Sequence, residues 1–386
     1  MFKAKTSYST NVDPFEAGKE AAEKAVKGGN IKVGLVFTNC DMDQTKVLEG
    51  IRSVYKNKPL IGCTTSGGLI TNEGLITGDS YVGLFTIKDD DMIVGIASCE
   101  ANGDAREAGK ILAREAISNA GIKKVPSYFY IVATPKEEES YLKGIEDVIG
   151  SVPFFGGSAA DNNASGAWSI LAGDKVIKDG CAVAFFYAKN EIKTEFTGDY
   201  DETENVGVIT KTEGNRKLVS IDGVQASKKY AKWINKKPAD INGGKVFTES
   251  ILNPIGIKDP LGNITAVRQV MKCEEDGSLI MSNDIAKGTA VIKLTTSENK
   301  LLESVPNALV KLNEKMKSTP ESYFLIHSGI RTIGLNGRTE QLYNKIKEIT
   351  NDKEFMMVFS FGEYGRSEHS ASTCMALSLS FVSFGE

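Results

Sequence analysis

The chain has 386 residues, 41% of them apolar and 25% charged, with a formal net charge of −4. These values fit a globular protein of two or three domains. Its lysines come in ones and twos (Lys123–Lys124, Lys228–Lys229, Lys236–Lys237) and form no basic strip of the kind that binds nucleic acid by charge.

MFKAKTSYST, at the start, has no apolar run fit for a signal peptide, and CAVAFFYA (Cys181–Ala188) is too short to span a bilayer. The expected location is therefore the cytoplasm, without membrane insertion. Asp13 and Asp104 are candidate N-caps of two helices, each with a glutamate three residues on (Glu16, Glu107), as in a capping box. Pro14 suits the first helical turn, and Gly28–Gly29 and Gly121 supply the stops. The two segments are copies: DPFEAGKEAAEKAV (13–26) and DAREAGKILAREAI (104–117) share seven of fourteen positions. LEGIRSVYKNKPLIG (48–62) then matches LKGIEDVIGSVPFFG (142–156), and ITGDSYVGLF (76–85) matches IKDGCAVAFF (177–186).

Residues 1–99 and about 100–197 are thus two copies of one α/β unit, with a period too long for a solenoid. Strands are predicted near Val33–Thr38, Leu60–Cys63, Tyr81–Ile87 and Met92–Ala97, then near Tyr128–Ala133, Phe154–Gly156, Cys181–Tyr187 and Ile192–Phe196. TGDYDETENVG, polar and glycine-bearing, marks a boundary after Phe196. Beyond it lie a strand (Gly288–Leu294), a helix bent at Pro306, a strand (Ser322–Ser328), a further helix, and two late strands in FMMVFSFGEYG and CMALSLSFVSF. The expected fold class is mixed α/β, with partly antiparallel sheets: a duplicated N-terminal unit followed by a second α/β domain.

The six cysteines are singletons with no CxxC pair, and only two histidines are present. Neither a disulfide framework nor a zinc site is expected, and no metal or cofactor is assigned.

The copied turn PLIGCTTSGG (59–68) returns as PFFGGSAADNN (153–163), with Cys63 replaced by Gly157. Glycines and short hydroxyl residues let backbone donors converge on a ligand. Neither copy has the GxxxxGK[ST] of a phosphate loop or the GxGxxG of a dinucleotide site. Cys63 has three readings: a buried strand-end thiol, a pocket wall, or a nucleophile. The last needs a base, for which only His327 and His369 are available. The densest polar chemistry is SFGEYGRSEHSAST (360–373), with Glu363 at a strand end. HSGIRTIG (327–334) adds Arg331, whose fork suits a carboxylate. Solvated hairpin and surface salt bridge are the structural alternatives for these two segments.

Taken in order, AGKEAAEKAV, PLIGCTTSGG, FFGGSAADN and SFGEYGR…HSAST resemble the FIST family of sensory proteins. The resemblance implies a FIST N-type domain over 1–197 and a FIST C-type domain over 198–386. It also implies small-ligand sensing without catalysis, with amino acids as the expected ligand class and a separate signalling protein as partner, since no kinase, cyclase or methyl-accepting segment is seen. By position it places ligand-binding residues at Cys63, Thr64, Thr65, Ser66 and Gly67; at Gly156, Gly157, Ser158, Asp161 and Asn162; at Ser328 and Arg331; at Glu363; and at His369, Ser370 and Thr373. Ser328 stands where family members often have cysteine, which argues against thiol chemistry there. The pocket is expected between the two domains. The alternative is a hydrolase or transferase using Cys63 or Ser66 with His369; a scaffold acting through its surface is the third reading.

Overall fold

A computed structural model describes residues 2–27, 31–367 and 370–386. Gly28–Gly29 and His369, named above, lie outside the described residues. Asp13 and Asp104 do cap their helices: Asp13 accepts the Glu16 N–H, and Asp104 accepts those of Arg106 and Glu107. The glutamates do not close the box; Glu16 and Glu107 pair with Lys19 and Lys110 instead. Gly121 ends its helix in the left-handed conformation, φ 68°.

Three six-stranded sheets follow one plan. The first sheet has an edge strand (Lys3–Ser9), then Val82–Lys88, then the parallel pair Val33–Asn39 and Leu60–Thr65. The second has Ile93–Glu100, Gly180–Tyr187, Tyr128–Ala133 and Phe154–Gly157 in the same places. The third has Ile192–Thr197, Leu379–Phe384, Ser322–Ser328 and Glu354–Ser360. Each sheet is completed by a hairpin from another unit. Leu69–Thr71 and Gly74–Ile76 join the third sheet, Ile170–Ala172 and Lys175–Ile177 the first, and Glu363–Gly365 and Thr373–Met375 the second. The exchange is cyclic, so no unit has a complete sheet by itself.

Helices Pro14–Val26 and Gln44–Tyr55 cover the first unit, and Ala105–Ala120 and Glu138–Ile149 the second. The glycines shared by the two sequence copies sit where these helix pairs touch. A Cβ on Gly18 would come within 2.2 Å of the Val47 carbonyl, and one on its counterpart Gly109 within 2.3 Å of Tyr141's. Gly50 and Gly144 are equally tight. Close backbone approach therefore explains the AGK and LxGI motifs.

The apolar faces of the three sheets meet in an aromatic core. Phe324 of the third sheet lies 5.3 Å from Phe37 and 5.4 Å from Phe85 of the first, and 5.9 Å from Phe155 of the second, centroid to centroid. Between the edge strand and first helix of the third unit runs an inserted antiparallel sheet, Asp201–Thr295. It packs with helices Ala226–Trp233 and Lys245–Leu252 in a core of its own that includes Tyr230 and Trp233. Its first strand, Asp201–Glu213, begins inside the polar stretch read as a domain boundary. Alternate residues of that strand face solvent, which accounts for its polarity. Helix Glu298–Lys315 runs through Pro306.

Candidate functional site

The structure brings the copied turns together at one end of the aromatic core. The Ser66 N–H donates to the Phe359 carbonyl (3.0 Å), that of Ser158 to Gly362 (2.7 Å), and that of Ala160 to Thr64 (2.9 Å). Three equivalent strand ends are thereby laced into a ring. Gly67 donates to the Asn162 side chain (3.1 Å), which in turn donates to Asp41 (2.9 Å). Gly156 and Gly157 pair with Tyr364 and Glu363.

Most of these groups are committed to the fold. Cys63 points into the aromatic core, and burial holds its thiol far above the usual range, which favours the buried strand-end reading over the nucleophile. Thr64 accepts the Ser169 N–H, Thr65 bonds the Tyr81 hydroxyl (3.0 Å), and Asp161 accepts three backbone N–H groups of its own loop. Arg331 is wholly buried. Its guanidinium donates to the Gly198 and Leu377 carbonyls (2.7 and 2.9 Å) and to Ser304, over the Tyr200 ring. The fork expected to clasp a ligand carboxylate is instead caged by backbone. Glu363 is also buried, accepting from Ser360 (2.7 Å) and from the Ser378 N–H and hydroxyl (3.0 and 2.8 Å). Desolvation raises its pKa to about 8 despite these bonds and the Arg331 charge. His327, between Arg331 and the edge of Phe359, is held down to about 3 by burial and then by Arg331. Its Nδ1 donates to the Ser328 carbonyl, leaving Nε2 and the Ser328 hydroxyl without partners among the described residues. Ser370 bonds back to Ser367 (3.0 Å).

Several clefts among the described residues are lined by other side chains. One, of about 500 Å³, opens between the second unit and the inserted sheet. Arg106, Glu139, Ser140 and Lys143 form one wall; Asn215, Ile257, Arg268, Asp284, Ile285, Ala286 and Thr289 form the other. A buried charge network joins the walls. Arg268 donates to Glu139 (2.8 Å) and to the carbonyls of Asp284 and Cys374. Arg216 holds Glu138 and, at 3.3 Å, Asp284. Thr373 also donates to Glu139 and, among the described residues, is the one sequence-assigned residue bonded to a residue of this wall. Burial raises the pKa of Glu138 against the pull of Arg216, and raises that of Asp284 with help from Glu139. Lys143 has no ion-pair partner among the described residues.

Sequence reasoning missed this cleft because its charges are scattered. Glu139 and Arg268 are 129 positions apart, and no local spacing links them. The glutamate run at 137–139 was the only visible signal.

A second cleft, about 220 Å³, lies beside Asp199, Tyr200 and Ser367, and a shallow trough of about 910 Å³ runs past Lys272 and Cys273. No group of three or more His, Cys, Asp or Glu among the described residues is placed to hold a metal ion. No helix among them is long and apolar enough to cross a membrane.

An uncharacterized protein of Methanocaldococcus jannaschii is 24% identical over 329 residues, 78% of this chain. The chain spans 62% of the length of that relative. Among solved structures, cyanuric acid hydrolase from A. caulinodans overlaps 99% of both chains at 9% identity and a TM-score of 0.38. Phosphoribosylformylglycinamidine synthase II from Thermotoga maritima overlaps the whole of this chain and 72% of its own, at 9% identity and a TM-score of 0.23. Neither is close enough to bear on the chemistry of this chain. The FIST N domain matches residues 32–224 and the FIST C domain residues 226–366, and the chain belongs to the FIST family, a family of sensory domains.

Proposed function

We propose that this protein is a signal-input module that binds a small zwitterionic metabolite, an amino acid or a close analogue, in the cleft between the second unit and the inserted sheet. It then passes the signal to a separate cytoplasmic partner. The observation that carries the reading is the charge pattern of that cleft. Lys143 is an uncommitted ammonium on one wall, and Asp284 is a half-buried carboxylate on the other, with one oxygen on Arg216. Ile257, Ile285 and Ala286 supply an apolar patch beside them. A ligand carboxylate meets Lys143, its ammonium meets Asp284, and its side chain packs on the isoleucines. The volume suits a small molecule.

Position supports signalling as well. The second-unit wall lies in the part of the chain matched by the FIST N domain, and the inserted-sheet wall, apart from Asn215, lies in the part matched by the FIST C domain. Occupancy therefore changes how the inserted sheet sits on helix Glu138–Ile149. Of the alternative, a hydrolase or transferase using Cys63 or Ser66 with His369, the burial of Cys63 among aromatic rings counts against the Cys63 form.

A thermal-shift screen against amino acids, organic acids and amines tests the reading. A ligand at 100 times its Kd adds about 2.7 kcal/mol of stability. The expected hit is an amino acid whose shift is lost in Lys143→Met and Asp284→Asn. A hit untouched by both substitutions would place the site elsewhere, and a screen with no hit would refute the ligand class.

A further inference from the structure

We propose that Cys99 and Cys181 are an oxidant-sensitive thiol pair that closes to an intramolecular disulfide on exposure to a peroxide. The inference is independent of the ligand cleft. Strands Ile93–Glu100 and Gly180–Tyr187 run antiparallel, with Cys99 directly opposite Cys181. Side chains of directly opposed residues leave the same face of the sheet. The Ala101 N–H donates to the Asp179 carbonyl at 2.8 Å. Hydrogen-bonded pairs recur at every second position, so Cys99 and Cys181 form one too. Their Cα atoms are then about 5.5 Å apart, inside the roughly 4.4–6.8 Å that a disulfide bridges.

Both thiols are free, Cys181 wholly buried and Cys99 half-buried at the sheet edge. None of the other four cysteines has a thiol opposite it. Cys63 faces Phe37 and Ile170, Cys374 faces Tyr364, Cys273 faces Leu279, and Cys40 lies in a loop.

The more accessible sulfur reacts first. The Cys99 thiol gives up its proton as its sulfur attacks a peroxide oxygen, the O–O bond breaks, and the departing hydroxide takes that proton, leaving a sulfenic acid and water. The Cys181 sulfur then attacks the Cys99 sulfur, the S–O bond breaks, and the Cys181 proton leaves with the hydroxyl as a second water. Two thiols lose two electrons and two protons, and one peroxide becomes two waters. Burial holds both thiols above their ordinary pKa, which slows the attack on peroxide, and the second step depends on juxtaposition within the sheet. The disulfide would fasten the strand that leads, through the Asp104 cap, into the helix carrying Arg106 to the cleft wall.

The test treats the intact, pre-reduced protein with hydrogen peroxide, then alkylates the remaining thiols in denaturant and maps the peptides by mass. The expected result is a Cys99–Cys181 linked peptide, with free thiols falling from six by two and recovering in dithiothreitol. In Cys99→Ser, a change at a half-exposed position, the linkage is absent. Retention of all six thiols would overturn the proposal. So would Cys99 accumulating as sulfinic acid while Cys181 still alkylates.

Discussion

Glu363→Gln probes the polar end of the core most sharply. Glu363 has no solvent exposure, and its carboxyl group is bonded by Ser360 and Ser378. Burial raises its pKa in the folded state from the ordinary 4.5 to about 8. The bonds donated by Ser360 and by the Ser378 N–H and hydroxyl favour the ionised form, and desolvation outweighs them. The raised pKa means that the folded state binds the extra proton between pH 4.5 and 8. Stability from this group is therefore complete below about pH 4.5 and declines as pH rises to about 8. The slope is about 1.4 kcal/mol per pH unit, and the whole span is on the order of 5 kcal/mol. Glutamine stays neutral and has no such slope. Urea unfolding of both proteins at pH 5.5 and 7.5 measures the difference: wild type should lose about 2–3 kcal/mol relative to the variant over that interval. Parallel profiles would refute the reasoning and show that Arg331 keeps Glu363 ionised in the fold.

Three further outcomes follow from the packing and the charge network. Phe324→Ala, at the meeting point of the three sheets, should cost about 3–5 kcal/mol in urea unfolding; a loss under about 1 kcal/mol would mean the core is not shared. Glu139→Gln leaves Arg268 buried without its carboxylate and should cost about 3–5 kcal/mol, whereas Arg106→Ala, whose partner Asp147 is exposed, should move the urea midpoint far less. Equal losses would contradict the burial argument. Asp13→Ala removes a helix cap and should lower stability by about 1 kcal/mol, read as a fall in urea midpoint; an unchanged midpoint would count against the cap.

What was legible in the sequence was local. The caps Asp13 and Asp104 and the glycine at 121 follow from side-chain and backbone chemistry within a few residues. The strands near 33, 60, 128 and 181 follow from short apolar runs. The exchanged hairpins were not legible. FMMVFSFGEYG reads as one buried strand, yet Glu354–Ser360 belongs to the third sheet and Glu363–Gly365 to the second. Nothing local distinguishes the two halves, because the partner of Glu363 is Gly157. The third unit was hidden for a related reason: the insertion Asp201–Thr295 separates its edge strand from its first helix. At the candidate site, hydroxyl-rich turns pointed to a convergence that is real. Arg331 and Glu363, however, turned inward, where carbonyls and serines hold them. The cleft charges come from four separated segments and carry no sequence spacing.

The central claim is that an amino-acid-like ligand sits between Lys143 and Asp284, and a crystal structure of the protein grown with the strongest thermal-shift hit tests it most directly. The account predicts ligand density in that cleft, with its carboxylate on Lys143 and its ammonium on Asp284. Density at the Ser66–Ser158–Glu363 end of the core, or in the trough beside Cys273, would contradict it.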